Sequence, residues 1–297
     1  MSATGKRFAH PRFAYLISPM LNADLHCHSR ISDGMLAPAD VAARANANGV
    51  ELWALTDHDE VGGIAEARAA AEALGMPYVT GVEISVTWAG KTIHIVGLGV
   101  DETDAALIKG LAWTRNGREP RAREMAQRLA ALGIPDAFEG AMKYVGNPDL
   151  LSRTHFARYL VEIGKGESTQ DVFKNYLVEG KPGYVAHRWA YLKDAVRWIC
   201  DAGGTAIVAH PGRYKLTDLA FDEFISDFKQ SGGTGIEVVT GSHSPDQYDT
   251  YANVARRYGL LASRGSDFHG PEESRVDIGT LPPLPADLEP VWSRWVA

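Results

Sequence analysis

The stretch from Asp24 to Asp59 constrains the sequence most, because short motifs rich in histidine and aspartate follow two apolar segments that predict strands. The first motif reads Asp-Leu-His-Cys-His-Ser, so His26 and His28 are two residues apart. On an extended backbone, side chains at i and i+2 point to the same face, so both imidazoles can reach one metal ion while Cys27 turns away. A single His-x-His is weak evidence, and its weight depends on matching ligands elsewhere in the chain.

Side chains of the same chemistry recur at the ends of later predicted strands. If the hairpin turn in Trp-Ala-Gly-Lys centres on Ala89 and Gly90, Glu83 and His94 lie diagonally on one face, roughly 7–8 Å apart at Cα. A metal ion held between the two side chains fits that gap. Together the strand ends supply nine candidate ligands, which are His26, His28, Asp33, His58, Glu83, His94, His210, Asp267 and His269.

Taken singly, each candidate ligand has an ordinary structural explanation, since buried histidines often hydrogen-bond in cores and strand-end aspartates often cap helices. A dry cluster of six imidazoles and three carboxylates without cations would carry a large desolvation cost. Imidazole and carboxylate suit Zn, Mn and Fe, and nine ligands exceed what one ion takes. The sequence therefore favours a multinuclear metal centre.

Strand and helix patterns alternate along most of the chain. Most of the predicted strands are followed by a helix, and their residue ranges are 22–26, 50–55, 78–86, 92–96, 205–209, 235–239 and 260–263. This order is typical of a (β/α) barrel that lacks one unit, and a doubly wound sheet is the competing fold. The candidate ligands lie at or just past strand ends, which favours the barrel, because barrel enzymes assemble their sites on the face formed by the strand C-termini.

A long central region breaks the alternation. Between residues 103 and 185 helices are predicted without strands, with Gly and Pro breaks between the later ones. We interpret 103–185 as a helical insertion into a barrel formed by 21–102 and 186–297. The first 20 residues carry three basic side chains, no acidic ones and no signal-peptide core, so 1–20 is predicted to be a flexible leader.

The composition is ordinary for a globular protein, with 45% apolar and 23% charged residues. The formal net charge of −7 argues against a broad basic surface, so we expect no binding of duplex DNA. A small phosphorylated ligand is compatible with this charge, because bound metal ions add local positive charge. The two cysteines, and the lack of an apolar run of about 18 residues, predict a cytoplasmic protein without membrane spans.

Seven short segments carry the candidate ligands, and they are Asp24-Leu25-His26-Cys27-His28-Ser29, Ser32-Asp33-Gly34, Thr56-Asp57-His58, Gly81-Val82-Glu83, Ile93-His94, Ala209-His210-Pro211 and Ser266-Asp267-Phe268-His269. Together these segments resemble the PHP (polymerase and histidinol phosphatase) family of phosphoesterases. The resemblance covers about residues 22–102 and 190–280. It implies a distorted seven-unit TIM-like barrel with a trinuclear centre of divalent ions, with Mn as the first choice and Fe or Zn as alternatives.

The resemblance also divides the nine ligands among three ions. One ion would take His26, His28, Glu83 and Asp267, a second would share Glu83 and add His94 and His210, and a third would take Asp33, His58 and His269. No ligand of this set is missing, which argues against a degenerate, non-catalytic copy.

Within the family, the insertion and the segment His-Pro-Gly-Arg at 210–213 resemble the branch of 3′,5′-nucleoside bisphosphate phosphatases and 5′→3′ exoribonucleases of short RNA. Arg153 provides a planar fork for phosphate oxygens, and His155 lies two residues further on. If Ser152 begins a helix, its free backbone N–H groups add an anion site. Arg213 and His243 are further candidate substrate contacts. The alternatives are that Arg153 pairs with a carboxylate, and that Arg158 and Lys181 are solvated charges.

As a mechanism, we expect a metal-bound hydroxide to attack phosphorus in line, held through Asp33, His58, Glu83, His210 and Asp267. The 3′-phosphate of a nucleoside 3′,5′-bisphosphate would be cleaved, while the basic groups of the insertion hold the 5′-phosphate. The same geometry could cut the first phosphodiester of a short 5′-phosphorylated RNA.

Three other functions are weighed against this one. Metal hydrolases that act on C–N bonds also open with His-x-His, but a modified lysine usually bridges the metals where Glu83 stands here. A histidinol-phosphatase-like phosphomonoesterase leaves the inserted basic segment unexplained. A non-catalytic, metal-stabilised accessory module of a polymerase fits poorly with the independent length, complete ligand set and acidic charge of this chain.

Overall fold

The computed structural model describes residues 20–295, so the leader predicted for residues 1–20 lies outside the described residues except for Met20. One sheet contains eight strands, in the order β1-β2-β3-β4-β6-β7-β8 with β5 added beside β3. The strands are β1 Ala23–Asp24, β2 Leu52–Leu55, β3 Tyr78–Trp88, β4 Lys91–Leu98, β5 Ala190–Tyr191, β6 Thr205–Val208, β7 Gly235–Thr240 and β8 Leu261–Gly265.

The sheet closes on itself where its two end strands meet. Just past β1 and β8, the backbone N–H of Asp267 donates to the carbonyl of His26 at 2.8 Å. The buried carboxylate of Asp24 accepts hydrogen bonds from the backbone N–H groups of Ser266 (2.9 Å) and Gly279 (2.8 Å). These contacts join the two edges of the sheet. The predicted distorted seven-unit barrel is therefore confirmed, with β5 as a short addition.

The hairpin of β3 and β4 is the point where the barrel departs from parallel order. Its turn residues Ala89 and Gly90 have φ of 46° and 75°, which is the backbone twist that a two-residue hairpin turn needs. The register pairs Ser85 with His94, so Glu83 and His94 are diagonal neighbours, as predicted. Because β4 runs antiparallel to both β3 and β6, the start of β4 lies at the end of the barrel where β3 finishes.

Helices cover the outside of the sheet. Proline at the first helical position begins the first and last of them, and Gly259, with φ of 61°, ends the last. The described residues form the α-helices α1 Pro38–Ala47, α2 Ile64–Ala73, α3 Ala105–Arg115, α4 Arg118–Ala130, α5 Ala137–Met142, α6 Arg153–Glu162, α7 Thr169–Val172, α8 Leu192–Asp201, α9 Asp218–Gln230 and α10 Pro245–Tyr258. Short 3₁₀ turns occupy Pro148–Leu150, Pro211–Arg213 and Val291–Arg294.

The central region has a small hydrophobic core of its own. Met125, Leu129, Phe156 and Leu160 are buried in it, apart from the barrel core. Helix α3 does not belong to this unit, because its Leu107 and Leu111 pack into the barrel core. The packing therefore places the start of the inserted unit one helix later than the predicted boundary at residue 103.

Two local structures of the insertion interrupt its regular helices. The short α-helix α7 is followed by a π-helical turn over Phe173–Leu177. The short helix α5 lies in a stretch broken by glycine and proline. The π-helical turn matters for the site, because Phe173 lines both cavities described below.

Candidate active site

All nine predicted metal ligands converge at one end of the barrel. Six strands, or the segments that follow them, supply donor atoms that form four overlapping groups, and the atoms within each group lie within 4.8 Å of one another. The groups are His28, Asp33, His58 and His269; His26, Glu83 and His210; His26, His28 and Asp267; and His58, Glu83 and His94. The structure thus brings together residues that are up to 243 positions apart, from His26 to His269.

Glu83 lies at the centre of this cluster and is fully buried. Its Oε1 is 3.0 Å from Nδ1 of His94 and 3.0 Å from Nε2 of His210. Its Oε2 is 3.3 Å from Nε2 of both His26 and His28, and 2.9 Å from Nδ1 of His58. The two oxygens face different imidazoles, which is the arrangement of a carboxylate that bridges two cations.

Asp33 and Asp267 provide the other two carboxylates. Oδ1 of Asp267 lies 3.3 Å from Nε2 of His28 and 3.6 Å from that of His26. Oδ1 of Asp33 lies 3.4 Å from Nε2 of His269 and 3.9 Å from Nε2 of His58. These pairs agree with the ligand groups implied by the family resemblance, and Oδ1 of Asp267 also lies 3.7 Å from Nδ1 of His269, a ligand of the neighbouring group.

Three non-glycine residues at this end of the barrel have left-handed backbones. Asp59, His210 and Asp267 have φ of 50°, 26° and 55°. A left-handed backbone is unfavourable for such side chains and is typical of functional sites, where surrounding contacts hold it in place. Here the N–H of Asp59 donates to the carbonyl of Glu83 at 2.8 Å, and the N–H of His210 donates to Oε2 of Glu237 at 2.5 Å.

The residues present fit a set of divalent cations. Nδ1 of His28 and Oδ1 of Asp33 are buried and lack hydrogen-bond partners among the described residues, as does Oε2 of Glu83. Such orphaned donors and acceptors in a buried cluster are costly unless something binds them. Six imidazoles and three carboxylates form a nitrogen and oxygen donor set that suits first-row divalent metals.

The electrostatics of the cluster lead to the same conclusion. Burial lowers the pKa of His28, but the nearby carboxylates of Asp267 and Glu83 outweigh this and raise the pKa to about 10. Burial raises the pKa of Glu83, but the surrounding histidines hold it well below its usual range. The ionised carboxylates are therefore balanced by positive charge on protonated histidines. Divalent cations bound at the cluster would supply that positive charge in place of the histidine protons.

A small polar pocket of about 90 Å³ adjoins the cluster. Asp33, His58, His94 and His269 form its metal-facing wall, and four arginines line the rest of it, which are Arg118, Arg121, Arg153 and Arg213. Such a density of guanidinium groups around a small cavity is typical of a phosphate site.

Two of the arginines have no carboxylate partner among the described residues. Arg121 donates from Nε to the carbonyl of Val185 at 3.1 Å and lies over the ring of Trp189 at 5.2 Å. Burial, with the like charges of Arg153 and Arg118, lowers the pKa of Arg121 to about 9. Arg153 has only a long hydrogen bond, 3.4 Å, to the carbonyl of Leu177. Uncompensated guanidinium groups in a buried pocket leave it electropositive, ready to bind an anion.

Arg118 is held differently, by an ion pair with the buried carboxylate of Asp59. That carboxylate also accepts from the N–H of Ser85 at 2.8 Å, and Arg118 packs over Trp189 at 4.9 Å. Arg213 is half exposed and pairs with Oδ2 of Asp267 at 3.0 Å. Arg213 thus links the pocket to a metal ligand.

The predicted substrate contacts divide into two groups. Ser152, Arg153 and Arg213 line the pocket. His155 and His243 line neither this pocket nor the larger cleft that is described below. His155 is fully buried, and its Nδ1 accepts the backbone N–H of Ser152 at 3.0 Å, as in a capping box. Nε2 of His243 accepts the N–H of Gly212 at 3.0 Å.

His155 and His243 stay predicted substrate contacts, and in this structure one ring nitrogen of His155 and both of His243 bind backbone groups. At the start of the helix that follows Ser152, the N–H of Thr154 donates to Oγ of Ser152 at 3.1 Å. The predicted anion site there therefore has one free N–H group fewer. Arg158 is not a solvated charge, because it is buried, pairs with Glu273 at 2.7 Å and donates to the carbonyl of Asp33 at 2.6 Å. Lys181 is exposed, as its solvated alternative expected.

Arg118 and Arg121 were missed by the sequence analysis. Both stand in a helix of low mean hydropathy, Arg-Glu-Pro-Arg-Ala-Arg, where charged residues normally face solvent. Their spacing of three places them on the same face as the buried Ala122 and Met125, and that spacing is the one signal available in the sequence.

A larger cleft of about 640 Å³ lies on the other side of the ligands Asp267 and His269. It shares Thr154, Phe173 and Arg213 with the small pocket, and Arg275 and Lys174 add positive charge along it. The two cavities therefore meet at the metal-binding residues.

A (β/α) barrel with this ligand cluster at the end of its strands defines the class of metal-dependent hydrolases, and comparison with known proteins narrows the class. The PHP domain matches residues 24–240. The chain is 52% identical over 273 residues to the 3′,5′-nucleoside bisphosphate phosphatase of Chromobacterium violaceum, which covers 92% of this chain and 96% of that protein. It is 42% identical to a 5′-3′ exoribonuclease of Haemophilus influenzae, over 92% of this chain and 98% of that protein.

Solved structures agree with the sequence comparisons. An amidohydrolase structure from Chromobacterium violaceum, with bound sulfate and no metal, superposes with a TM-score of 0.89 at 52% identity, over 92% of this chain and 95% of that one. A metal-dependent phosphoesterase structure from Bifidobacterium adolescentis has a TM-score of 0.77 at 27% identity, over 92% and 94% of the two chains. The chain belongs to the PHP family, as the motifs predicted. None of the helices described between residues 20 and 295 has the length and apolar character to cross a membrane.

Proposed function

We propose that this protein is a metal-dependent phosphoesterase that hydrolyses the 3′-phosphate of nucleoside 3′,5′-bisphosphates and releases the 5′-monophosphate. One observation carries the proposal: a pocket lined by four arginines shares a wall with the ligand cluster. A substrate with two phosphates has one group for each region. The family and the Chromobacterium relative, which is named as a phosphatase of such bisphosphates, support the same assignment.

We further propose three divalent ions per chain, with Mn preferred over Fe or Zn. The residues that would hold them are the nine of the cluster, grouped around the carboxylates of Asp33, Glu83 and Asp267. When bound, such ions lower the pKa of water and neutralise charge on phosphoryl oxygens. Glu83 presents one oxygen to His94 and His210 and the other to His26, His28 and His58, which supports shared coordination.

The arginines of the pocket bind and orient the substrate. Arg121 and Arg153 have donors free of carboxylate partners, so they hold the 5′-phosphate in place of the ion pairs that they lack. Arg118, fixed by Asp59, adds a third cation with little freedom to move. Arg213 lines both cavities and contacts Asp267, so it lies beside the phosphate that is cleaved. Fixing both phosphates aligns the scissile ester before reaction.

Hydrolysis of short 5′-phosphorylated RNA is a second candidate function, and the 640 Å³ cleft favours it. If the first phosphate is held by the arginine pocket and the next is at the ligand cluster, the remaining strand needs a path outward. The cleft offers that path, with Lys174, Arg213 and Arg275 along it. The exoribonuclease relative from Haemophilus influenzae supports this activity.

The predicted cytoplasmic location stays a prediction.

The test is phosphate release from adenosine 3′,5′-bisphosphate beside 3′-AMP, 5′-AMP and histidinol phosphate, with Mn²⁺ and with EDTA. We expect Mn-dependent turnover of the bisphosphate, weaker turnover of 3′-AMP and none of 5′-AMP. Preferential turnover of histidinol phosphate would keep the metal centre and reject the two-phosphate assignment. Absence of release from every compound, and of cleavage of short RNA, would leave the accessory-module alternative.

A further inference from the structure

Strand β7 differs from its neighbours at the metal end of the barrel. β6 and β8, on its two sides, are followed by the ligands His210, Asp267 and His269, whereas β7 contributes no ligand to any of the four groups. It carries instead a buried acid, Glu237, in the otherwise apolar segment Gly-Ile-Glu-Val-Val. A carboxylate 1% exposed in the middle of a barrel strand is costly to bury unless its contacts compensate for it.

Both oxygens of Glu237 bind metal-ligand residues on other strands. Oε1 lies 2.7 Å from Nδ1 of His26, and Oε2 accepts the backbone N–H of His210 at 2.5 Å. The first contact leaves Nε2 of His26 directed at Glu83 and Asp267, at 3.3 Å and 3.6 Å. The second holds His210 in its left-handed conformation, with φ of 26°.

The backbone of β7 is shaped around this side chain. Its pairing with β8 shifts register between Glu237 and Val239, which is a β-bulge. Bulges bend a strand and re-aim side chains beside active sites. Glu237 itself cannot be a ligand, because both oxygens are occupied by protein donors, and it lines neither the arginine pocket nor the larger cleft.

We propose that Glu237 is a positioning residue of the metal centre, which fixes the tautomer and orientation of His26 and the backbone of His210, and so sets the affinity for the two ions that these histidines would hold with Glu83. A carboxylate that accepts the second ring N–H of a ligating histidine fixes the nitrogen that binds the metal and raises its basicity. The proposal rests on the metal centre of the proposed function, but not on its substrate.

The test is metal binding by Glu237→Gln and Glu237→Ala, measured without substrate. Apoprotein is titrated with Mn²⁺ against a fluorescent chelator, and bound metal is counted by elemental analysis after gel filtration. Glutamine keeps the shape but offers one acceptor oxygen in place of two, so we expect the two ions at His26 and His210 to bind about tenfold to a hundredfold more weakly. The ion at Asp33, His58 and His269 should keep its affinity, and excess Mn²⁺ should restore much of kcat with KM unchanged.

Thr240→Val is the matched control on the same strand. Thr240 is buried, its hydroxyl has no hydrogen-bond partner among the described residues, and valine has the same shape. We expect its Mn²⁺ affinity to match that of the wild type. If Glu237→Gln folds, as judged by circular dichroism, and binds every ion with wild-type affinity, the proposal is wrong. If the variant loses thermal stability but no metal affinity, Glu237 is only structural, and the proposal is equally wrong. Loss of metal affinity in a chain that cleaves no bisphosphate would reject the proposed substrate and retain this inference.

Discussion

The ligand cluster and the arginine pocket share a wall but are built in different ways. The cluster comes from the barrel, where His26, Glu83 and Asp267 lie on or beside adjoining strands whose hydrogen bonds set their positions. The pocket takes Arg118, Arg121 and Arg153 from helices α4 and α6 of the central region. In the proposed function, the barrel supplies the groups that would hold the ions, and the helices supply the groups that would bind the second phosphate.

The two regions also use charge in opposite ways. The three carboxylates of the cluster have histidines around them, and several of its buried donor atoms have no hydrogen-bond partner among the described residues. In the pocket, the cations outnumber the carboxylates, and Arg121 and Arg153 have no ion pair within the described residues. The ligand cluster has the chemistry of a cation site, and the arginine pocket has the chemistry of an anion site. A phosphorylated substrate between them would satisfy both.

The largest expected effect comes from breaking the cluster. His58→Ala and Asp267→Asn each remove a donor that faces two other ligands, so turnover should fall by more than about a thousandfold. Folding should be largely intact, because the barrel core is separate from these side chains. The measurement is kcat with saturating Mn²⁺, with circular dichroism as the folding check. Residual activity above a few per cent in either variant would reject the assignment of that ligand.

The next effect comes from the pocket. Arg121→Met removes a buried guanidinium that has no carboxylate partner among the described residues, and a hydrogen bond to a charged group contributes about 1.5–3 kcal/mol. KM for the bisphosphate should rise about tenfold to a hundredfold, while turnover of 3′-AMP, which has no 5′-phosphate, should change little. Arg153→Ala should act in the same direction, mainly on KM.

Arg123→Met is the control for this change, since Arg123 is on the same helix but exposed and paired with Glu119 at 2.7 Å. It should leave both substrates unaffected. Equal losses for the bisphosphate and 3′-AMP in Arg121→Met would mean that the pocket supports the metal centre and does not bind the second phosphate.

The same contrast explains how much the sequence could predict. Each metal ligand has a local signature, such as His-x-His on a strand or the diagonal pair Glu83 and His94, and all nine were found together with the barrel. The arginines have no such signature, because charged residues dominate α4 and the burial of Arg118 and Arg121 depends on contacts with the chain near Val185 and Trp189. Tertiary packing, which local patterns do not contain, makes these side chains functional.

His155 and His243 show how little residue type says about a side chain's contacts. His155 has the residue type and the place beside Arg153 that suggest a substrate contact, yet its ring closes a capping box. His243 likewise binds backbone groups at Gly212 and Val238. Glu237, by contrast, was overlooked, although an isolated acid in an apolar strand is a visible signal. Residue type alone does not separate a ligand from a residue that supports the backbone.

A smaller effect is expected where the two regions touch. The hydroxyl of Thr154, at the start of α6, donates to Oδ2 of the metal ligand Asp33 at 3.0 Å. Thr154→Val removes this bond, which contributes about 1 kcal/mol, so Mn²⁺ affinity or kcat should fall roughly fivefold. Thr154→Ser keeps the hydroxyl and should restore the wild-type value. No change in Thr154→Val, measured by chelator competition and by kcat, would mean that the hydroxyl of Thr154 does not influence the metal centre.

The smallest effect is expected outside both regions, at the ion pair of Arg44 and Asp277, whose atoms are 2.7 Å apart. Burial raises the pKa of Asp277, but hydrogen bonds from Arg44 and Asn48 outweigh it, so the pKa lies below its usual value. A carboxyl with a lowered folded-state pKa stabilises the fold above its unfolded pKa of about 3.9, and this contribution is lost as pH falls through the folded value.

Because both side chains of this pair are about a third exposed, Arg44→Met should lower the free energy of unfolding at pH 7 by at most about 1 kcal/mol. The difference from wild type should shrink below about pH 4, and kcat and Mn²⁺ affinity should not change. Urea denaturation of both proteins at a series of pH values measures the difference. A difference that persists undiminished at low pH would show that the methionine acts through packing and not through the lost charge, since Arg44 also lies 5.5 Å from the ring of Phe268.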